Sequence, residues 1–354
     1  MEALDNKCPA CGAKIKFNPK NQKWDCEYCG SKFSLEEMQK YDNASSSEAN
    51  KIEVKLNSTN KLEDMDVYHC KNCGAEVIAD ETTTATFCLY CGSTTILKDR
   101  MTDGIAPSKI VPFKNVKEDA IKAFKGLYKG RPLMPKLFNE EKNIEKLTGV
   151  YIPFWSYELS VSGNIDFKTS DTKTWSDYDY NYTKVDEYLT KKEASMNYNG
   201  VLVDGSSRFD DDLMDSLEPF NFKELVDYNH AYLSGFLAEK YDVDQNKAIK
   251  RANLRAMNTS IAQIRKTVTK HIDYVESNNL NIANTGTDYI LLPVWMMNID
   301  YKGKKYTFAM NGQTGEIVGN IPIDKKKAFI IFVSIFVLTF IIGVVISILM
   351  GAQI

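Results

Sequence analysis

Residues 328 to 350 read AFIIFVSIFVLTFIIGVVISILM, 23 residues without a charge. At about 1.5 Å of rise per residue, a helix of this length covers roughly 34 Å, enough for a hydrocarbon core of about 30 Å. Lys325, Lys326 and Lys327 stand directly before it, and only Gly351, Ala352, Gln353 and Ile354 follow. A core helix of a globular protein would carry a polar stripe, and this one has none. A cleaved leader would sit at the other end of the chain. The stretch therefore predicts one membrane-spanning helix, with everything from Met1 to Lys327 hung from it. The flanking lysines assign that body to the cytoplasmic side of the cell membrane, because short Lys-rich flanks stay inside.

The 354 residues allow two or three domains. Apolar content of 44% and charged content of 26% are those of a folded globular chain. A net charge of -3 argues against a general nucleic-acid binder, which carries a basic excess. All eight cysteines fall before residue 92, and the N-terminus MEALDNK has no apolar run. That excludes a secreted disulfide framework and favours reduced, metal-bound thiols.

The cysteines form two matching quartets. Cys8, Cys11, Cys26 and Cys29 read C-x2-C-x14-C-x2-C, and Cys70, Cys73, Cys88 and Cys91 repeat the spacing. Each continues with Gly-Ala after its first pair and Gly-Ser after its second, so the unit is an internal repeat. Two residues between cysteines make a knuckle that aims both thiolates at one ion, and Gly12, Gly30, Gly74 and Gly92 supply the positive φ such turns need. Two knuckles on a hairpin close a tetrahedral four-sulfur site suited to structural zinc, so two zinc ions are expected. Rubredoxin-like iron and redox dithiols are the alternatives. Fragments this small would fold largely through their metal.

The quartets resemble zinc ribbons of the transcription factor IIB type, a class that binds nucleic acid or protein. In the first ribbon Lys14, Lys16, Lys20, Lys23 and Lys32 interleave with Phe17 and Trp24, a pattern able to stack bases. The plainer reading is a solvated hairpin whose aromatics cover the metal site. The second ribbon carries Glu76, Asp80 and Glu81 and is not basic. One ribbon of each character suits protein docking.

The expected organisation is ribbon one over 1–33, a short helix and flexible linker over 34–66, and ribbon two over 67–100. A duplicated α+β domain follows over 101–324, and the anchor over 325–354. Ser34 and Glu37 form a capping box for the short helix. Residues 42–64 are Ser/Asn-rich and polar, as linkers are. In the body, a helix over 115–130 and a second helical stretch over 133–148 precede a strand over 150–161 containing Ile152-Pro-Phe-Trp155. A helix over 244–273 precedes a strand over 289–301 containing Leu292-Pro-Val-Trp295. The repetition predicts a duplicated unit with antiparallel strands, each proline at a strand start or bulge, and Trp155 and Trp295 as equivalent core anchors. Lys302-Gly303-Lys304 and Asn311-Gly312 mark turns, and the NGQTGEIVG stretch is similar to the closing hairpin of PepSY-type domains.

Residues 165–229 form an acidic, aromatic insertion. Asp210, Asp211, Asp212 and Asp215 lack the spacing, mid-loop Gly and closing Glu of a calcium loop, so they read as a solvated helix start. The helix over 244–273 carries seven basic residues and no acid from Gln245 to Ile272. It faces either anionic lipid, the acidic insertion or, third, nucleic acid. His69, His230 and His271 have no partner pattern, and no P-loop, GxSxG, HExxH or GxGxxG motif occurs. No catalytic constellation or small-molecule substrate is legible, so no enzyme is expected.

Together, the ribbons, the LPVW…YTFAMNGQTGEIVG stretch and the lysine-flanked helix resemble a bacterial family of membrane-anchored zinc-ribbon proteins. Members are encoded beside SPFH/flotillin-like and phage-shock (PspA-like) membrane-stress proteins. Some carry a primosomal or replication-restart helicase label, although this sequence has no helicase motif. The resemblance implies the eight cysteines as zinc ligands and a role in positioning such partners at the membrane. The expected function is a tail-anchored, cytoplasm-facing adaptor. The alternative is a membrane-tethered nucleic-acid binder.

Overall fold

The Pro-Trp strands of the two halves lie side by side at the centre of the protein. The computed structural model describes residues 8–11, 13, 15–46, 66–70, 76–79, 96–100, 105–129 and 131–351. A small three-stranded sheet comes first: β1 (Ile15–Asn18), β2 (Lys23–Cys26) and β3 (Lys32–Phe33), followed by α1 (Leu35–Ser46). The capping box that starts α1 is made on both sides. Ser34 N–H donates to Glu37 Oε2 at 2.7 Å and Glu37 N–H to Ser34 Oγ at 3.3 Å. Strands β4 (Asp66–Cys70), β5 (Glu76–Ala79) and β6 (Ile96–Arg100) are antiparallel, with β4 between the other two. The linker over 47–65 and most of the second cysteine unit lie outside the described residues.

The body then runs β7 (Lys109–Ile110), α2 (Lys117–Lys129), a 3-10 turn (Lys136–Asn139), α3 (Glu141–Ile144), β8 (Thr148–Ser176) and β9 (Asn181–Asp204). Next come α4 (Asp211–Asp215), β10 (Val226–Asp227), β11 (Leu237–Ala238), α5 (Gln245–Lys266), β12 (His271–Tyr301), β13 (Lys304–Asn311), β14 (Ile317–Gly319) and α6 (Lys325–Gly351). The main path of the large sheet is β10-β7-β12-β8-β11-β5-β4-β6, with β9 on β8 and β13 and β14 beyond β12. The fold is α+β. The β8–β12 pair at its centre is antiparallel, and β7 and β11 add to it in parallel.

Side-chain alternation divides the core between two faces. Val150, Ile152 and Phe154 with Ile290, Leu292, Val294 and Met296 point to one face, covered by Met214 and Leu217 of the α4 segment. Tyr151, Trp155 and Tyr157 with Tyr289, Leu291, Trp295 and Met297 point to the other, together with the buried faces of α2 and α5. Strands covered on both faces read as continuous apolar runs, which is why these two stretches stood out in the sequence.

The register is centred on Ile152↔Leu292, so Pro153 faces Leu291 and Pro293 faces Tyr151. Matching contacts repeat on either side of this centre. Gly205 N–H donates to the Pro153 carbonyl and Gly312 N–H to the Pro293 carbonyl, each at 2.8 Å. The Gly205 carbonyl accepts from Asp242 and Val243, and the Gly312 carbonyl from Lys114 and Asn115. The Trp155 indole donates to the Val243 carbonyl at 2.7 Å, the Trp295 indole to the Asn115 carbonyl at 3.0 Å. Each tryptophan is thus tied to the start of the helix from the other half. Both prolines sit in mid-strand rather than at a start or bulge. Pro153 falls where the neighbour of β8 changes from β11 to β9, so its missing N–H leaves no ladder bond broken.

Two further expectations need correction. The helix over 244–273 ends at Lys266, capped at Thr267, and His271 already belongs to β12. In the sequence Val268 and Ile272 extend the helical apolar spacing of Ile249, Met257, Ile261 and Ile264, but they lie beyond the helix. The strands are also much longer than 150–161 and 289–301. Residues 165–176 and 181–204 of the acidic stretch are strand, forming the outer part of β8 and all of β9. With the first half of β12 they build a three-stranded arm, and past His271↔Ser170 the β8–β9 hairpin continues alone. Its end carries Trp175 stacked on Tyr182 at 5.4 Å, beside fully exposed Tyr178 and exposed Tyr180. At about 3.3 Å per residue, β12 alone measures roughly 100 Å along its contour. Its His271 end lies in the arm, and its Tyr301 end lies by the root of α6.

One glycine makes the arm's close pairing possible. Gly163 has φ +137°, and a Cβ there would fall 2.2 Å from the Asn279 carbonyl oxygen. Helix α6 is long and apolar enough to cross a membrane, and its span Lys325–Ile348 has no buried residue. A core helix would be covered, so the globular reading fails here.

Candidate metal centre and its docking on the body

The first cysteine unit is built by β1 and β2 with a knuckle at each end. Ile15 pairs with Cys26 and Asn18 with Lys23, which brings the second knuckle beside the first. Cys8 N–H donates to the Ala13 carbonyl at 2.7 Å, and Gly30 N–H to the Cys26 carbonyl at 2.9 Å. Gly30 closes its knuckle at φ +73°. The four sulfurs of Cys8, Cys11, Cys26 and Cys29 all lie within 4.8 Å of one another. Cys8 and Cys29 are 3.6 Å apart, as are Cys11 and Cys26. A tetrahedral ion with bonds of about 2.3 Å needs sulfur–sulfur edges of about 3.8 Å, so the set fits one metal ion. Cys29 Sγ lies 3.2 Å from Ser31 Oγ, and hydrogen bonding with Ser31 lowers its thiol to about 6, whereas the Cys11 thiol of the same set is pushed up to about 12.

Of the second quartet, Cys73, Cys88, Cys91 and the side chain of Cys70 lie outside the described residues. Its strands join the main sheet, where Ala238 of β11 pairs with Ile78 of β5.

The first unit is packed on the body. Trp24 is fully buried, and its indole donates to the Ala231 carbonyl at 2.7 Å. Phe17, Trp24 and Tyr232 form a three-ring cluster with centroids 5.0 to 5.2 Å apart. Phe17 N–H donates to the Ser234 carbonyl, and Gln22 Nε2 to the Phe113 carbonyl at 2.9 Å. The aromatics that could have stacked bases are therefore spent on the body, and Lys16 is paired with Glu27. Sequence reasoning missed this dock because Ala231 and Tyr232 lie some two hundred residues away. A tryptophan in a ribbon too small to bury it was the available signal.

The basic face of α5 also finds its partner. Arg251 contacts Asp204, Asp211 and Asp215 at 2.7 to 2.8 Å, and Arg255 reaches Glu218 at 2.9 Å. Asp210 caps α4 through Leu213 N–H at 3.0 Å. The acidic stretch thus meets the protein's own arginines, and the aspartate run is a capped helix start. Burial raises Asp204 to about 6 despite Arg251. His271 lies exposed, 3.8 Å from Asp273.

These features define a class: an α+β protein with an N-terminal four-thiol centre docked on a double-faced sheet and an apolar helix at its C-terminal end. The chain is 33% identical over 349 residues to the "Uncharacterized protein YdjG" of Bacillus subtilis (strain 168), covering 98% of each chain. It belongs to the same family as that protein. No protein-family model and no solved structure matches it.

Proposed function

We propose that the chain is a tail-anchored, cytoplasm-facing scaffold that positions partner proteins at the membrane. The observation that carries this reading is the arm. A three-stranded β-structure projects an aromatic tip, Trp175, Tyr178, Tyr180 and Tyr182, from the end of β12 opposite the anchor. Exposed aromatics on a rigid support are the usual anchors of protein interfaces. The partners are SPFH/flotillin-like or PspA-like proteins, on the strength of the family resemblance. Each cysteine quartet takes one zinc ion; the S···S spacing of the first supports this, and the repeat extends it to the second. The ions are structural, since four thiolates leave no open position. The two halves are read as a duplicated unit, which the paired Pro153/Gly205 and Pro293/Gly312 contacts support.

The test is crosslinking in intact cells followed by recovery of the membrane-bound chain. A variant with Trp175→Ala, Tyr178→Ala and Tyr180→Ala should lose the SPFH-like or PspA-like protein that the unaltered chain recovers. Equal recovery by both would overturn the scaffold reading.

A further inference from the structure

The geometry points to a lipid-contact surface at the turn between β12 and β13, where Lys302, Lys304 and Lys305 meet anionic headgroups of the bilayer that α6 enters. The inference rests on reading α6 as a membrane helix, and it goes beyond the scaffold role. It also moves the lipid contact away from α5, the basic element most visible in the sequence.

Three observations fix the turn beside the anchor. Asp324 N–H donates to the Leu133 carbonyl at 2.9 Å, and Lys327 Nζ donates to the Met134 carbonyl at 2.7 Å, so the root of α6 is bound to the 133–134 segment. Four residues on, Phe138 is fully buried against Tyr301 and Tyr306, with centroids 5.8 and 5.7 Å apart. Those two tyrosines bracket the turn, since Tyr301 pairs with Lys304 and Ile299 with Tyr306. The turn and the root of α6 thus share one short support, the segment from Leu133 to Phe138.

Charge supplies the occupant. Segments 300–305 and 324–327 hold six lysines, against Asp300 and Asp324. Asp324 is used as the cap of α6, accepting from Lys326 N–H at 3.0 Å. Lys302, Lys304, Lys305, Lys325 and Lys326 are exposed. The turn itself is tight, with Lys302 at φ 53° and Gly303 at φ 74°, so its lysines are presented on a short, stiff hairpin. Helix α5 cannot share this surface. Arg251 and Arg255 are paired within the body, and its C-terminal end lies along the arm, where Lys192 Nζ donates to the Thr267 carbonyl at 3.1 Å.

The test uses the full chain in lipid nanodiscs of neutral phosphatidylcholine, with or without anionic phosphatidylglycerol. Acetylation rates of individual lysines are read by mass spectrometry. Lys302, Lys304 and Lys305 should react about fivefold more slowly on anionic discs, the factor one lysine gains near such a surface. Lys250 and Lys266 of α5 serve as internal references and should not change. High salt should abolish the difference. Replacing the three turn lysines with glutamine should leave Lys325 and Lys326 still slowed, while the body melts as before. Equal rates at the turn on both discs, or slowing at Lys250 and Lys266 instead, would overturn the proposal. Failure of the chain to enter either disc would refute the membrane reading of α6 itself.

Discussion

Gly312 donates its backbone N–H to the carbonyl of Pro293 at 2.8 Å, closing the point where β12 changes partners. A Cβ at Gly312 would lie 2.7 Å from two ring atoms of Phe113 and 2.9 Å from Pro293 Cβ. Phe113 cannot yield, because it stacks on Phe236 at 4.1 Å and is fully buried. At the matching position, a Cβ on Gly205 would meet nothing closer than 3.1 Å. Gly312→Ala should therefore destabilise by about 1–3 kcal/mol, and Gly205→Ala by clearly less. Thermal melts of the two variants check the order, and equal losses would refute the packing argument.

Trp24 reports on the metal. It sits on β2, beside the four-thiol unit, and packs against Tyr232 of the body. A strong chelator under reducing conditions should undo the unit and shift Trp24 emission to the red, with the shift absent in Trp24→Phe. Cys11→Ser should reproduce the shift without chelator and lower the bound metal by one equivalent. Emission indifferent to chelation would mean that the fold of the unit does not depend on an ion.

Glu239 gives a pH dependence with a definite sign. It is buried, its Oε1 accepts from Ser206 Oγ at 2.7 Å, and burial, then the charge of Asp242, pushes its carboxyl well above 4.5. Tyr289 faces the same region. The folded state holds this proton more tightly than the unfolded chain does. The stability is therefore fully present below the unfolded value of about 4.3 and is lost as pH rises toward the folded value. Glu239→Gln should flatten that decline and raise the melting temperature more at neutral pH than at pH near 4.3. A parallel shift at both would show that the carboxyl does not titrate in this way.

Arg251 is the hub of the α5–α4 contact, with its side chain 22% exposed and that of Asp204 only 1% exposed. Removing it strands Asp204 beside Asp211 and Asp215. Arg251→Ala should cost about 3 kcal/mol, and Arg251→Lys should recover little, because a lysine cannot fork between carboxylates. Urea titrations of the two variants distinguish this from the loss of one positive charge alone, which the lysine would repair.

What could be read from the sequence was local. Ser34 and Glu37 carried their capping box in their spacing, and Lys302-Gly303 carried its turn. The Pro-Trp stretches announced themselves because both faces of those strands are buried. The arm was hidden for the opposite reason. From Asp171 to Ser176 every β8 residue is exposed, so no alternation marks it as strand. The end of α5 was misread because Val268 and Ile272 prolong its apolar spacing past Lys266. Cross-half contacts such as Trp155 to Val243 and Trp295 to Asn115 depend on which strands become neighbours, and no local pattern encodes that. The first quartet was legible because four thiols around one ion need only short-range spacing, whereas the Trp24 dock depends on residues from the far side of the chain.

Gly163 is where the arm is most easily broken. Its φ of +137° is open to glycine, and a Cβ would press to 2.2 Å on the Asn279 carbonyl of β12. Gly163→Ala must push β8 away from β12 at the Gly163↔Leu280 pair. The strain, about 1–3 kcal/mol, should be felt outward along the arm and not at the Pro153–Pro293 centre, because the two regions share only the strands themselves. Hydrogen exchange over 164–176 and 181–193 should quicken by about tenfold, the factor of 1.4 kcal/mol within that range, while exchange around Gly312 stays as it was. If partner recovery depends on the arm being rigid, this variant should lose it without any change to Trp175, Tyr178 or Tyr180. Full recovery with a loosened arm would assign recognition to the tip residues alone.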